Sequence, residues 1–92
     1  MFVLVAYDVS STRRRNKVAK ILSGYGERVN LSVFECEFRQ PETLTTLKEE
    51  IAGVIKARED HIRYYMICRE CREKISVQGY GTVNKTKIVH FA

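Results

Sequence analysis

The stretch that decides the fold is FVLVAYD, residues 2–8. Apolar residues run without a break up to Asp8. Such a run predicts a β-strand that is buried on both faces and lies in the middle of its sheet. The run is too short to cross a bilayer, which takes about 20 apolar residues, and it lacks the length and basic leader of a signal peptide. We therefore expect a globular protein without a membrane segment.

A helix is predicted directly after this strand. Its apolar residues recur at i, i+3, i+4 and i+7 and are Val18, Ile21, Leu22 and Tyr25. Residues 10–12 supply serine and threonine as candidate N-caps, and Gly24 suits the C-terminal end. Pro41 is well placed to open a second helix. Apolar residues at helical spacing follow it, namely Leu44, Leu47, Ile51, Val54 and Ile55. Gly53 lies inside this pattern and weakens the helix modestly.

Strand patterns occupy most of the remaining chain. Residues 29–38 and 61–68 alternate in side-chain direction, and two shorter strands are expected at residues 75–77 and 87–91. We interpret the order as strand, helix, strand, strand, helix, strand and tail. This order predicts an α+β ferredoxin-like split βαβ fold (βαββαβ) in a single domain, residues 1–92, with the first and third strands central.

In that fold one face of the sheet carries no helices. The bare face must be solvated, bind nucleic acid or pack on another subunit. An RNA-binding sheet that stacks bases needs aromatic residues grouped on this face. The first strand offers only Phe2 and Tyr7, which point to opposite faces, so the sequence gives this type of RNA binding little support.

The charge of the chain is unevenly distributed. The 92 residues carry a net charge of +5, with +4 in residues 1–30, −3 in residues 31–60 and +4 in residues 61–92. This asymmetry indicates either a polyanionic partner on one face or a solvated surface that keeps a small protein soluble. The three cysteines are too few for a secreted disulfide framework and favour a reduced cytoplasmic protein.

A basic cluster marks the start of the first predicted helix. It consists of Arg13, Arg14, Arg15, Lys17 and Lys20, and no acidic residue occurs between Asp8 and Glu27. Basic side chains on an exposed stripe are typical of contacts to nucleic-acid phosphates, which set affinity without reading sequence. The alternative is an ordinary solvated helix face, and three consecutive arginines favour phosphate binding over it.

Asp8 closes the central strand, where a carboxylate either caps the next helix or takes part in metal binding or catalysis. Position alone favours the cap. One carboxylate is a poor Mg²⁺ site because the ion prefers six oxygen ligands. Two copies of Asp8 that face each other across a dimer would form a better one, with waters and backbone carbonyls at the other positions.

The sequence CREC, residues 68–71, is a C-x-x-C motif. A structural zinc site needs four ligands, and no second C-x-x-C occurs in the chain. A redox role requires the motif at the start of a helix that follows a strand, and we expect the neighbouring residues to supply such a helix only poorly. We therefore interpret Cys68 and Cys71 as small, buried or half-buried thiols.

An ordered set of short motifs covers nearly the whole chain. The set is VAYDVS at residues 5–10, RNKVA at 15–19, YG at 25–26, SVFE at 32–35, ED at 59–60 and CREC at 68–71. In order and spacing this set resembles the CRISPR-associated Cas-two family. The resemblance implies a homodimer whose sheets pack face to face and a segment from about residue 80 that crosses to the partner. It also implies that the two Asp8 carboxylates hold Mg²⁺.

The resemblance further implies a role in CRISPR-Cas adaptive immunity. Family members bridge dimers of the integrase Cas-one during spacer acquisition and bind duplex DNA, and some are metal-dependent endonucleases on single-stranded RNA or double-stranded DNA. Asp8 and Tyr7 map to the catalytic positions, and Arg15, Lys17 and Arg28 to phosphate positioning. Two further positions map to structure or dimer contact, namely Phe34 and Asn30, where the family usually has Gln.

Three hypotheses follow. The chain is a Mg²⁺-dependent phosphodiesterase, a non-catalytic scaffold that holds DNA and docks the integrase, or a small regulatory ferredoxin-like domain that binds no nucleic acid. The first two need the basic helix face, and only the first needs Asp8. We favour the scaffold role, because one carboxylate per subunit supplies few of the ligands that a catalytic Mg²⁺ ion prefers.

Overall fold

A computed structural model describes residues 1–79. Within that range the elements in chain order are β1 (Phe2–Asp8), α1 (Thr12–Ser23), β2 (Gly26–Asn30), β3 (Val33–Glu37), α2 (Pro41–Ala52), β4 (His61–Ile67) and α3 (Arg69–Glu73). The expected crossing segment from about residue 80 and the expected strand at residues 87–91 lie outside the described residues. No helix in the described part of the chain is long and apolar enough to cross a membrane.

The four strands form one antiparallel sheet in the order β2-β3-β1-β4. The strand β1 lies between β3 and β4, so the apolar run at residues 2–7 is central, as the sequence predicts. This strand order, with helices following β1 and β3, is the ferredoxin-like split βαβ arrangement. The predicted α+β fold class is therefore confirmed.

The helices α1 and α2 cover one face of the sheet. Odd-numbered residues of β1 point into this layer, where Val3 and Val5 are fully buried. Val18 and Leu22 of α1 pack against them in a core that also contains Leu47 of α2. The even-numbered residues of β1 point to the opposite face, which we call the open sheet face. It consists of Phe2, Leu4, Ala6, Asp8 and the residues paired with them in β3 and β4.

The strand predicted over residues 29–38 is wrong in its extent. A turn interrupts it, so that β2 ends at Asn30 and β3 begins at Val33. The side-chain oxygen of Asn30 accepts a hydrogen bond from the backbone N–H of Leu31 at 2.6 Å, as asparagine commonly does in turns. Leu31 is 83% exposed as a result. Local side-chain hydrogen bonding outweighs the strand propensity of this leucine.

Two further elements differ from the sequence prediction. The helix α2 ends at Ala52 with Gly53 as its C-cap, so Gly53 terminates the helix instead of weakening its interior. The predicted short strand at residues 75–77 is absent from the described chain, and the helix α3 precedes that stretch. Cys68 is the N-cap of α3. The strand-like pattern that predicts a strand at residues 75–77 does not reveal this short helix.

Gly26 is required where β2 approaches β3. A Cβ atom at this position would lie 2.1 Å from the Glu35 carbonyl oxygen and 2.7 Å from the Cys36 sulfur. We expect Gly26→Ala to lower the free energy of unfolding by about 1–3 kcal/mol, because the strands must move apart. Urea unfolding measures the change. Gly53→Ala is the control and should cost nothing, since its Cβ meets only ordinary contacts. Equal stability of both variants would contradict the close approach.

Candidate functional site

Asp8 ends β1 on the open sheet face. Its side chain is exposed, and no hydrogen bond or ion pair within residues 1–79 engages its carboxylate. The sequence-based preference for a helix cap is wrong, because the side chain of Ser11 caps α1 and accepts a hydrogen bond from the Arg14 N–H at 3.3 Å. The chain thus keeps a solvent-facing carboxylate at the end of its central strand, beside His61 of β4.

The described residues around Asp8 do not by themselves form a metal site. Among the described residues, no group of three or more histidine, cysteine or acidic side chains lies close enough together to hold an ion. A Mg²⁺ ion with one protein carboxylate would depend on water for nearly all of its ligands. The donor set therefore fits the ion only when a second carboxylate reaches the same point from another chain.

Tyr7 does not converge with Asp8. Neighbouring residues of a strand point to opposite faces, and the Tyr7 ring is buried on the helix side, only 5% exposed. Its hydroxyl donates to the Leu31 carbonyl oxygen at 3.0 Å and accepts a hydrogen bond from the Arg28 guanidinium at 3.3 Å. The Tyr7 hydroxyl therefore fastens the β2–β3 turn and does not face the Asp8 carboxylate.

Arg28 and Phe34 lie in the same cluster as Tyr7. The Arg28 guanidinium stacks over the Phe34 ring at 5.3 Å, and the rings of Phe34 and Tyr7 are 6.2 Å apart. Phe34 is 2% exposed and faces the helices, so it supports the core of its own chain instead of lying on the open sheet face. Asn30 shapes the adjacent turn through its bond to the Leu31 N–H. The structure thus brings three predicted site residues together, Tyr7, Arg28 and Phe34, of which Arg28 is exposed.

Three basic side chains form an exposed row along α1. Arg13, Lys17 and Lys20 are spaced at i, i+4 and i+7, are all exposed, and make no ion pair among the described residues. Residues at this spacing share one helix face over about 11 Å of rise. We call these three residues the cationic row. Exposed Arg and Lys side chains of this kind are typical donors to nucleic-acid phosphates.

Arg14 and Arg15 do not belong to the cationic row. The Arg14 side chain is only 15% exposed, and its guanidinium binds both carboxylate oxygens of Asp60, at 2.7 and 3.0 Å. Arg15 donates to the Val9 carbonyl oxygen at 2.9 Å and to the Thr12 hydroxyl at 2.8 Å. The sequence-based placement of these two arginines on an exposed phosphate-binding stripe is therefore corrected. Both hold the loop between β1 and α1 in place.

Asp60 is the anchor of this loop. Its side chain is fully buried, and besides Arg14 it accepts hydrogen bonds from the backbone N–H groups of Ser10 at 3.0 Å and Lys56 at 2.9 Å. The Arg14 hydrogen bond, followed by those backbone donors, holds the pKa of the Asp60 carboxyl well below its usual range. Sequence reasoning missed this role, because the only signal was the ED pair in the motif set.

The open sheet face presents apolar surface next to Asp8. Leu4, Ala6, Val33 and Ile67 are half-buried on this face, and Tyr65 is 44% exposed. Glu35 lies among them, and burial raises the pKa of its carboxyl. At the far end of the face, the Arg72 guanidinium of α3 stacks on the Phe2 ring at 3.9 Å and pairs with Glu37. The middle of the face is the part that no helix of the described chain covers.

A four-stranded antiparallel sheet with two helices on one face defines a ferredoxin-like α+β protein. Asp8 and the cationic row are exposed on it. The family described as CRISPR associated protein Cas2 matches residues 1–75. The chain belongs to this family, which is the Cas-two family that its motifs resemble.

Known relatives agree with this assignment. The chain is 44% identical over 87 residues to a CRISPR-associated endoribonuclease Cas2 of Chloroflexus aurantiacus, and the match covers 94% of this chain and 92% of that protein. It is 39% identical over 84 residues to a CRISPR-associated endonuclease Cas2 of Halalkalibacterium halodurans, covering 86% of each. These relatives carry nuclease names.

Solved structures show the same fold. The crystal structure of Streptococcus pyogenes Cas2 superimposes with a TM-score of 0.78 at 33% identity, covering 86% of this chain and 100% of that one. A chain of a partial Cas6-RT-Cas1–Cas2 complex superimposes with a TM-score of 0.74 at 30% identity, covering 83% of this chain and 88% of that one.

Proposed function

We propose that this protein holds duplex DNA during CRISPR spacer acquisition, as a homodimer that docks the integrase Cas1. The observation that carries the proposal is the cationic row, since Arg13, Lys17 and Lys20 are exposed and have no ion-pair partner among residues 1–79, while the neighbouring arginines are engaged in the fold. Phosphate contacts of this kind bind a backbone without reading its sequence. Membership of the Cas2 family supplies the biological context.

The homodimer is supported by the open sheet face. Half-buried Leu4, Ala6, Val33 and Ile67 with exposed Tyr65 form an apolar surface that a second copy would bury. Packing two such faces brings two cationic rows into one particle and doubles the net charge. It also offers a route by which the Asp8 carboxylates of two chains meet.

The partnership with Cas1 is supported by one structural neighbour. That neighbour is a chain of a partial Cas6-RT-Cas1–Cas2 complex, and this protein shares its fold at a TM-score of 0.74. A scaffold between integrase subunits needs a rigid surface and a DNA-binding row, and it needs no active site of its own. The cationic row and the loop at residues 9–11, which Arg14 and Arg15 hold in place, are suited to that need.

A second candidate function is metal-dependent endonuclease activity on RNA or duplex DNA. The observation that favours it is Asp8, whose carboxylate is exposed and unpaired within the described chain although it follows a fully apolar strand. A Mg²⁺ ion held between two Asp8 carboxylates would supply an activated water and offset phosphate charge. Arg28 and Lys17 would bind the substrate backbone. The expected catalytic role of Tyr7 is not part of this proposal, because its hydroxyl is engaged with Leu31 and Arg28.

Salt dependence tests the DNA-holding function. For the unmodified protein, log K for a short duplex should fall linearly with log salt, with a slope of about −0.9 per phosphate contact. The double variant Arg13→Glu with Lys17→Glu should bind at least about 10-fold more weakly and with a shallower slope, equally for all duplex sequences. Fluorescence anisotropy measures both quantities.

The control is Lys48→Glu with Arg58→Glu, which changes the net charge by the same amount at exposed positions of α2 and the loop after it. We expect this variant to lose much less affinity. Equal losses in both variants would show that net charge, and not the cationic row, binds the duplex. No measurable duplex binding at low salt would favour the regulatory-domain hypothesis instead.

A further inference from the structure

The Cys68–Cys71 pair lies at the start of α3, directly after β4. Cys68 is the N-cap of this helix, and its sulfur accepts a hydrogen bond from the backbone N–H of Cys71 at 3.4 Å. Both thiols are free and exposed. The expectation of buried or half-buried thiols is therefore wrong, and the motif lies at the start of a five-residue helix that follows a strand.

The two thiols are not equivalent. The backbone N–H and then the thiol of Cys71 donate to the Cys68 sulfur and lower the pKa of Cys68. The same thiol contact raises the pKa of Cys71. An attacking thiolate beside a protonated second thiol is the asymmetry that disulfide exchange uses.

A groove adjoins Cys68. It has a volume of about 1110 Å³. Three of its charged lining residues are basic, namely Arg39, Arg69 and Arg72, and one is acidic, Glu37. Arg72 is paired with Glu37, whereas Arg39 and Arg69 are exposed. Apolar walls from Phe2, Phe38 and Ile67 complete it. A groove of this size and charge fits a small molecule that bears carboxylates.

We propose that Cys68 and Cys71 form a reactive dithiol that exchanges with small, carboxylate-bearing disulfides. The Cys68 thiolate attacks one sulfur of the small disulfide, forms a mixed disulfide and expels one small thiolate. Cys71 then loses its proton and attacks the Cys68 sulfur, which closes an intrachain disulfide and expels the second small thiolate. Two electrons pass from the cysteine pair to the small disulfide, and the two thiolates take up the two protons. The reverse sequence restores the dithiol.

Cys36 provides an internal comparison. It is 1% exposed in the core, and burial raises the pKa of its thiol to about 11. At pH 7 its thiolate fraction is therefore about one in 10⁴, so it should be inert to thiol reagents. A single protein thus contains one activated thiol, one resolving thiol and one buried reference thiol.

Mass spectrometry of the full chain tests the proposal. With iodoacetamide at pH 7, Cys68 should react first and at least about 100-fold faster than Cys36. With oxidised glutathione, the unmodified protein should lose two hydrogens and end without an adduct. Cys71→Ser should stop as a glutathione adduct on Cys68. Cys68→Ser keeps a good N-cap residue and should gain no adduct at comparable speed.

Two outcomes would overturn the proposal. One is alkylation of Cys68 no faster than that of Cys36 in the folded protein. The other is a stable glutathione adduct on unmodified protein, which would show that Cys71 does not resolve it.

Small disulfides without carboxylates, such as hydroxyethyl disulfide, test the basic groove. They should react more slowly with the unmodified protein than oxidised glutathione does, and an equal or faster rate would remove the groove from the proposal.

Discussion

Asp8→Asn is expected to abolish metal-dependent cleavage, with a loss of more than about 100-fold, while leaving the fold intact. The carboxylate is the one described group placed to hold a cation at the end of β1, and a neutral amide binds Mg²⁺ poorly. Its side chain is exposed and makes no bond within residues 1–79, so the free energy of unfolding should change by less than about 0.5 kcal/mol. Cleavage of labelled RNA and duplex DNA, with and without Mg²⁺, measures the effect.

Glu49→Gln is the matched control, since it removes another exposed carboxylate, on α2 and far along the chain from Asp8. It should cleave like the unmodified protein. Asp8→Asn should also keep duplex affinity, because the cationic row is unchanged. Cleavage at the unmodified rate in Asp8→Asn would disprove the metal site. Failure of spacer acquisition in a folded, dimeric Asp8→Asn variant would disprove the purely structural role.

Asp60→Asn is expected to lower the melting temperature by more than about 10 °C. The amide offers one acceptor where the carboxylate offers two, and it leaves the half-buried Arg14 guanidinium without its counter-charge. Loss of one partner of such an ion pair is strongly destabilising. The bonds from the Ser10 and Lys56 N–H groups weaken as well. Thermal unfolding followed by circular dichroism measures the shift.

The neighbouring Glu59→Gln is the control. Glu59 is 54% exposed and lies 3.8 Å from Arg14, so its loss should shift the melting temperature by at most about 3 °C. Similar effects at residues 59 and 60 would show that general charge near Arg14, and not the buried network, stabilises the loop.

The Asp60 carboxylate makes the stability of the fold depend on pH in a defined direction. Because Arg14 holds the pKa of Asp60 well below its unfolded value of about 3.9, the carboxylate stabilises the fold fully above that pH. This contribution is lost as the pH falls below about 4 toward the folded-state pKa. The difference in melting temperature between the unmodified protein and Asp60→Asn should therefore shrink between pH 6 and about pH 2.5. A constant difference would contradict the linkage.

The sequence by itself determined the fold class, because the spacing of apolar residues is a local property that reveals helices and strands in chain order. The run at residues 2–7 predicts the central strand, and Pro41 predicts the start of α2. The cationic row was also visible, since helical spacing places Arg13, Lys17 and Lys20 on one face. The sequence did not show that Arg14 and Arg15 lie outside this row, because the exposure of a side chain depends on which distant segments pack against it.

The tertiary structure alone decided which charges are free. Asp60 is 46 residues from Arg14 along the chain, yet β4 places its carboxylate against that guanidinium at 2.7 Å. A buried carboxylate must find donors to offset its lost hydration, so it engages the nearest arginine and backbone N–H groups. Asp8, at the end of the neighbouring strand, has no such partner in the described chain and stays available to solvent. No local pattern distinguishes these two aspartates, since both lie beside a strand end and only long-range contacts separate their roles.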